Sequence, residues 1–292
     1  MKKLHFNTTC GNENCNCVNS ISQTIKYQLI AIMLSVFIFS AAYINGQELD
    51  VPYVPTPSLV VEKMLDLAEI KPGEYLIDLG SGDVRIVIAA AKRGAIGHGI
   101  DIDPVRIDEA NKNARDAGVN DKVLFIEHDI FNADFSRADV VTMYLLNSVN
   151  RKLRPYLLEK LRPGTRVISH DFDMDDWAYD EFLYLDDSSI YKWIVPADVK
   201  GRWKWTNGSN SYTMTINQEF QKIRISLSSN EDNLIVYSSI LSGDKITITA
   251  ENPSKRENYL FNGQVNGNEI TGTVQIRNDR NSTVENWNAN LM

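Results

Sequence analysis

Three aspartates stand where apolar runs end: Asp78 in "YLIDLGSGDVR", Asp101 in "GIDIDP" and Asp129 in "EHDIF". The first leads into a glycine turn, Gly80-Ser81-Gly82, of the kind that lets backbone approach a ligand closely. Such a turn between a strand and a helix has three common tenants. A nucleoside triphosphate needs GxxxxGK[ST], which nothing here matches. A dinucleotide needs G-x-G-x-x-G, so that pyrophosphate can sit against the helix N-terminus, and the last position here is Arg85. The third tenant, S-adenosylmethionine, has no phosphate. Its methionine end needs a close backbone turn and a carboxylate for its ammonium, a role that suits Asp78. Its ribose diol pairs well with two acceptor oxygens, and Asp101 stands about twenty residues downstream, as in other ribose-binding sheets. Ile102 is placed to cover one face of adenine, and Asp129 to accept from the adenine amino group. One aspartate after a strand is usually a cap or turn residue. Three at successive strand ends, the ligand edge of such a sheet, point to a site.

The elements that must position these residues are readable from periodicity. Val51 to Pro57 holds three prolines and is expected to be extended, with Thr56 as an N-cap and Pro57 at the first helical position. Leu59, Val60, Met64 and Leu67 then recur at helical spacing. Strands are expected at 74–78, 96–102, 123–127, 139–145 and 165–169. Helices are expected at 84–93, from 103–104 to about 118, and at 148–161. Two short strands, "EFLYL" and "SIYKWIV", follow with little helix between them and would form an antiparallel edge. The order implies a Rossmann-like, doubly wound, mostly parallel seven-stranded sheet with helices on both faces. Past Pro196 seven short alternating runs, from "GRWKW" to "EITGTVQI", alternate with turn signals such as "NGSN" and "SGD". They predict a small C-terminal antiparallel β domain, a barrel or a sandwich. Gly201-x-Trp203 resembles the opening of lipocalin-like barrels.

"DLGSGD-R", "GIDIDP" and "HDIF" resemble the motifs of class I S-adenosylmethionine-dependent methyltransferases. The fuller set, "VPYVPTP", "DLGSGDVRIVIAA", "GIDIDP", "DIFNADFS" and "LRPGTRVISHDFDMDDW", is similar to a narrower group. That group comprises bacterial methyltransferases and the mitochondrial protein-lysine N-methyltransferases of the ATP synthase c-subunit and the adenine nucleotide translocator. The likeness runs from Val51 to about Trp177 and stops short of both ends of the chain. It implies S-adenosylmethionine as cofactor, a protein lysine as acceptor, and a cofactor-enclosing role for Tyr53 and Thr56. Position 84 departs from it, because valine stands where the group usually has glycine. If residue 84 lies in the first turn of the helix, the expected cost is crowding rather than backbone strain.

Methyl transfer from a sulfonium is an in-line displacement, so alignment is the chief demand and neither metal nor covalent intermediate is required. A lysine acceptor must first lose its proton, and each unit by which a site lowers its pKa from about 10.4 is worth about 1.36 kcal/mol. Asp171, Asp173, Asp175 and Asp176, in "SHDFDMDDW", follow the fifth expected strand and suit attraction of a cationic lysine or receipt of its proton. A solvated acidic loop is the plainer reading of the same residues. Tyr144 and Asn147 follow the fourth strand and are further candidates for the pocket. The catalytic candidates are therefore Tyr144, Asn147 and Asp171. Cofactor candidates are Tyr53, Thr56, Asp78, Gly80, Ser81, Gly82, Asp101, Ile102 and Asp129. His170 reads as a structural residue or a proton shuttle. Asn/Asp-Pro-Pro-Tyr is absent after the fourth strand, which argues against methylation of adenine in DNA.

A net charge of −8 over 292 residues also argues against nucleic acid as partner, since phosphate binding relies on clustered Lys and Arg. Cys10, Cys15 and Cys17 lie near His5 in a polar stretch whose spacing matches no common metal site; residues 1–28 are read as a polar tail and no metal is expected. Leu29 to Ile44 is apolar, preceded by Lys2, Lys3 and Lys26 and followed by Glu48 and Asp50. Residues 29–46 are therefore expected to be a signal or anchor segment that places the protein at or across a membrane, with a small-residue cleavage site at Ser40 to Ala42. Residues 50–196 form the expected methyltransferase domain and 197–292 the β domain. The competing reading is a binding module at the membrane or cell envelope that kept the fold but lost catalysis, and a weaker one is a nicotinamide enzyme. Oligomeric state is not legible in the sequence.

Overall fold

Tyr75–Leu79 (β1) is an apolar run with one carboxylate, and it forms an inner strand of the main sheet. It pairs in parallel with Ile96–Asp101 (β2) on one side. The structure is a computed structural model and describes residues 53–230 and 232–292. Val123–Glu127 (β3), Val140–Met143 (β4) and Arg166–His170 (β5) extend the parallel part. Glu181–Leu185 (β6) and Ser188–Ile194 (β7) complete it, with β7 antiparallel to both β5 and β6. The order is β3-β2-β1-β4-β5-β7-β6, the mixed seven-stranded sheet that the sequence predicted.

Period-two alternation along the strands sorts the core into two layers. Leu76, Val140, Ile168 and Ile190 face one side, where they meet Ser58–Leu67 (α1), Arg85–Lys92 (α2) and Pro104–Asp116 (α3). Ile77, Leu79, Val141, Met143, Val167 and Trp193 face the other, packed against Asn147–Lys160 (α4) and the loop carrying Trp177. Gly97 lets α2 come close, because a Cβ there would lie 2.5 Å from the Val87 side chain.

Residues after Val195 form a second body. Gly201–Asn207 (β8), Asn210–Glu219 (β9), Lys222–Ser229 (β10) and Asp232–Ser242 (β11) start an antiparallel meander. Lys245–Asn252 (β12), Glu257–Asn266 (β13), Glu269–Arg277 (β14) and Ser282–Leu291 (β15) finish it, and β15 pairs with β8 to close a barrel. Of the two architectures expected, the barrel is present. Its eighth strand was not anticipated: "STVENWNANL" is mostly polar, and only Trp287 and Ala289 turn fully inward. Trp203 of the Gly-x-Trp motif is fully buried, and its indole N–H donates to Val199 O at 2.8 Å. Trp205, Tyr212, Tyr259, Phe261 and Trp287 fill one part of the interior, with Trp205 and Tyr212 stacked at 5.0 Å.

The two bodies are joined by specific contacts. Trp177 Nε1 donates to Gln221 Oε1 at 3.1 Å, Gln221 Nε2 donates to Ala178 O at 2.6 Å, and Phe220 stacks on Trp177 at 6.0 Å. The turn between β9 and β10 thus grips the loop after β5. Among the described residues no helix is long and apolar enough to cross a membrane. The apolar run Leu29 to Ile44 and the cysteines at 10, 15 and 17 lie outside the described residues.

Candidate active site

The parallel strands β1, β2, β3, β4 and β5 end on one edge of the sheet, and the aspartates of the sequence pattern follow that edge. Gly80 N and Ser81 N both donate to Ile100 O, at 2.9 and 3.0 Å, which folds the glycine turn back onto β2. Gly82 N donates to Asp101 Oδ2 at 2.8 Å and Asp103 N to Asp101 Oδ1 at 3.0 Å. Asp101 therefore fixes the turn while each of its oxygens keeps a further lone pair. The Ser81 side chain lies over Gly99, whose added Cβ would be 2.7 Å from Ser81 Oγ; the hydroxyl is buried without a partner. Asp103 caps α3, its side chain accepting from Val105 N at 2.9 Å.

Asp78 is buried, and its Oδ1 accepts from Thr142 Oγ1 at 2.6 Å. Burial pushes its carboxyl up to about 7; the Thr142 hydrogen bond opposes this, and the charges of Asp101 and Asp83 add to it. No Lys, Arg or His pairs with it among the described residues. A buried carboxylate without a cation beside a glycine turn is a seat for an ammonium group. Ile102 and Asp129 follow β2 and β3 on the same edge, both half-buried. Asp129 holds its own turn, accepting from Phe131 N at 2.9 Å and Asn132 Nδ2 at 2.8 Å.

The proline-rich segment crosses this edge. The Tyr53 ring lies on Gly82, where an added Cβ would be 2.6 Å from it, and the Arg106 guanidinium sits 4.6 Å from the ring centroid. Thr56 does not cap α1, as its sequence position suggested. Pro57 occupies the cap position without a side-chain bond, and Thr56 Oγ1 instead bonds His170 Nδ1 at 3.1 Å. Thr56 O accepts from Arg85 Nη1 at 2.7 Å, and Arg85 also donates through Nε to Asp83 Oδ1 at 2.9 Å. Burial works against ionisation of Asp83, yet the Arg85 hydrogen bonds hold its carboxyl below the ordinary range. Arg85, Arg106 and His170 were not assigned these roles from sequence. The Thr56–His170 contact joins residues 114 apart, which no local pattern encodes.

Val84 overturns the sequence expectation. It precedes α2 with φ +62° and ψ +22°, in the left-handed region, and it is fully buried. That conformation is rare for a β-branched residue. The cost is therefore backbone strain, which an allowed φ in the helix's first turn would have avoided.

The acceptor-side candidates converge. Tyr144 OH donates to Asp171 Oδ2 at 3.2 Å, and Ser189 N donates to Asp171 Oδ1 at 2.9 Å. Asn147 Nδ2 donates to Asp173 Oδ1 at 2.9 Å. Asn150, which sequence reading missed, donates to Phe172 O at 3.0 Å and fixes the same loop from α4. His170 is buried with its ring centroid 3.9 Å from that of Tyr144, and its Nε2 lies 3.3 Å from Asp171 Oδ2. Burial holds the imidazole below its usual range, and the Asp171 charge pulls the other way. Tyr144 is raised, by burial and then by Asp171. Asp175 and Asp176 face outward to Arg151 and Arg154.

These residues fit S-adenosylmethionine. The turn at Gly80 and Gly82 has no room for side chains, since a Cβ at 80 would lie 2.8 Å from Leu145 and one at 82 would lie 2.6 Å from Tyr53, so its backbone is left uncovered by side chains of its own. Asp78 offers an ammonium a buried carboxylate that has no cationic partner among the described residues, and Asp101 offers a diol two oxygens. Among the described residues no cluster suits a metal ion.

The ANTKMT methyltransferase domain family matches residues 78–181. The chain is 42% identical over 153 residues to a protein-lysine N-methyltransferase of Saccharolobus islandicus, covering 50% of this chain and 94% of that protein. It is 34% identical over 132 residues to an adenine nucleotide translocase lysine N-methyltransferase of Mus musculus, covering 44% of this chain and 56% of that enzyme. A solved structure, that of an RNA methyltransferase from Salinibacter ruber in complex with S-adenosyl-L-homocysteine, is 54% identical. It covers 50% of this chain and 96% of that one, with a TM-score of 0.49. These matched lengths are about half of the chain.

Proposed function

The chain belongs to the family of S-adenosylmethionine-dependent methyltransferases that carry the ANTKMT methyltransferase domain, and on that footing we propose that its acceptor is the ε-amino group of a protein lysine. The observation that carries this reading is the match to nearly the whole archaeal protein-lysine N-methyltransferase. Asp171 and Asp173, held beside the ligand edge by Tyr144 and Asn147, support it by offering negative charge to a cationic side chain.

Bound S-adenosylmethionine supplies an electrophilic methyl group on a sulfonium. This chain's residues bind and orient around it. Asp78 takes the ammonium, Gly80, Ser81 and Gly82 give backbone approach, and Asp101 takes the ribose hydroxyls. Ile102 and Asp129 border adenine, and Tyr53 and Thr56 close the site from the proline-rich segment. On the acceptor side, Tyr144, Asn147 and Asp171 orient the lysine. Asp171 attracts the lysine as its ammonium, and the ammonium proton leaves to solvent before the methyl group is transferred. The neutral His170 ring supports Tyr144 from behind.

The alternative of a retired binding module was suggested by Val84. The backbone at 84 nevertheless has the positive φ that glycine would adopt, so the valine retains the path of the turn. We further assign residues 50–196 to catalysis. Residues 29–46 are assigned to holding the chain at a membrane; recovery of the full chain in the carbonate-washed pellet supports that placement, and recovery in the supernatant contradicts it. The enzymatic reading is tested with tritiated S-adenosylmethionine and total protein of the source cells. Label on a lysine is the expected result. Tight cofactor binding without transfer to any protein would instead establish the binding module.

A further inference from the structure

Beside the acceptor side of the site lies a free sheet edge. Strand β6 ends the sheet order and, among the described residues, pairs with β7 alone, so one row of its backbone N–H and C=O groups has no strand partner there. Soluble proteins ordinarily blunt such edges with lysine, proline or a bulge. Here "EFLYL" has no lysine or proline, and Phe182 and Tyr184 are 44% and 60% exposed. Register places Phe182 opposite Tyr191 and Tyr184 opposite Ser189, so the four share one face. Tyr179, 49% exposed, packs on Phe182 and Tyr191, both at 5.5 Å, and the latter two lie 5.1 Å apart. The result is an aromatic strip along an open edge.

The strip leads to the site. Because β7 is antiparallel to both neighbours, β6 runs parallel to β5, and its C-terminal end reaches the ligand edge. Ser189, opposite Tyr184, donates to Asp171 Oδ1 and accepts from Asp171 N at 2.7 Å. The strip's terminus is acidic. Asp173, Asp186 and Asp187 have no Lys or Arg partner among the described residues, whereas Asp175 and Asp176 are paired with arginines.

We propose that β6 is the docking edge for an extended, lysine-bearing segment of the protein acceptor, which joins the sheet as an added strand. Main-chain hydrogen bonds to β6 give such a segment its alignment, and alternate side chains rest on Tyr179, Phe182 and Tyr184. The acidic end selects a basic segment over an acidic one and directs its lysine toward Asp171. Exposed tyrosine and phenylalanine faces also suit a lysine ammonium before it enters the site. This inference rests on the protein-lysine reading above.

The test uses the full chain. Tritiated S-adenosylmethionine and total protein of the source cells first identify the labelled acceptor, which is then purified for steady-state kinetics. Phe182→Ser combined with Tyr184→Ser, and separately Tyr184→Lys, are expected to raise the acceptor KM roughly tenfold, since both remove aromatic contact and the second adds like charge. Maximal turnover and the Kd of S-adenosylhomocysteine stay unchanged, and Tyr184→Glu keeps more activity than Tyr184→Lys. A photo-crosslinking benzoylphenylalanine in place of Tyr184 is expected to capture the labelled acceptor. Unchanged KM in both variants overturns the docking edge, as does a crosslink to a second copy of the chain or to its own residues 1–52. Absence of label from all protein overturns the lysine reading itself, and this proposal with it.

Discussion

Asp78 carries the cofactor side of the site, because it is a buried carboxylate that accepts from Thr142 and has no cationic partner among the described residues. Burial holds its carboxyl near 7 in the cofactor-free protein, above its value in the unfolded chain. The folded state thus keeps a proton that the unfolded chain has lost. The associated stability is fully present below about pH 4 and is lost as pH rises through about 7. An ammonium ligand prefers the ionised form, so affinity for S-adenosylhomocysteine should rise about tenfold between pH 6 and 8. Calorimetric titrations at those two values check this, and Asp78→Asn should flatten the dependence; a flat wild-type profile would remove Asp78 from the ammonium site. Val84 carries a separate prediction. In a helical turn, glycine would be less stable than alanine by about 1 kcal/mol, but at a positive φ the order reverses. Both replacements lose the buried isopropyl group, so Val84→Gly should be more stable than Val84→Ala by about 1 kcal/mol in urea unfolding. The opposite order would place residue 84 back in the helix.

Among the elements, the regular ones were legible and the long-range ones were not. Strands β1 and β4, "YLIDL" and "VVTM", are mostly apolar and buried along nearly their whole length. Such runs read clearly because a central parallel strand is buried on both faces. The glycine turn and its carboxylates were legible for the same reason: the ligand edge follows from strand order. By contrast, Ser282–Leu291 escaped notice, because a closing barrel strand with two inward side chains lacks a clear alternation. Thr56 has the residue type of a cap and the position of one, but a buried imidazole 114 residues away took its hydroxyl. The left-handed backbone at Val84 has no signal in the residue itself, since a β-branched side chain rarely adopts a positive φ. One element has a role that only the structure suggests. The turn at Phe220 and Gln221 holds Trp177 and Ala178, between the acidic residues and the aromatic strip. Removing both side chains costs that loop about 1–2 kcal/mol of order. Phe220→Ala with Gln221→Ala should therefore raise the acceptor KM while leaving the Kd of S-adenosylhomocysteine unchanged; an equal loss of cofactor affinity would contradict a local bracing role.

At the scale of the whole molecule, a methyltransferase sheet supplies the chemistry and a barrel braces the loop beside its acceptor side. The net charge of −8 and the acidic end of the β6 edge suit a cationic protein segment better than a phosphate backbone. The methyl group is expected on protein lysine, and one experiment reads its destination. The full chain is incubated with tritiated S-adenosylmethionine and a whole extract of the source cells, and the products are divided among protease, ribonuclease and no treatment. Transfer to protein lysine gives label that is lost to protease, resists ribonuclease, appears as Nε-methyl-lysine after acid hydrolysis, and is absent with Asp78→Ala. Label lost to ribonuclease, or no label with the wild-type chain, would contradict it.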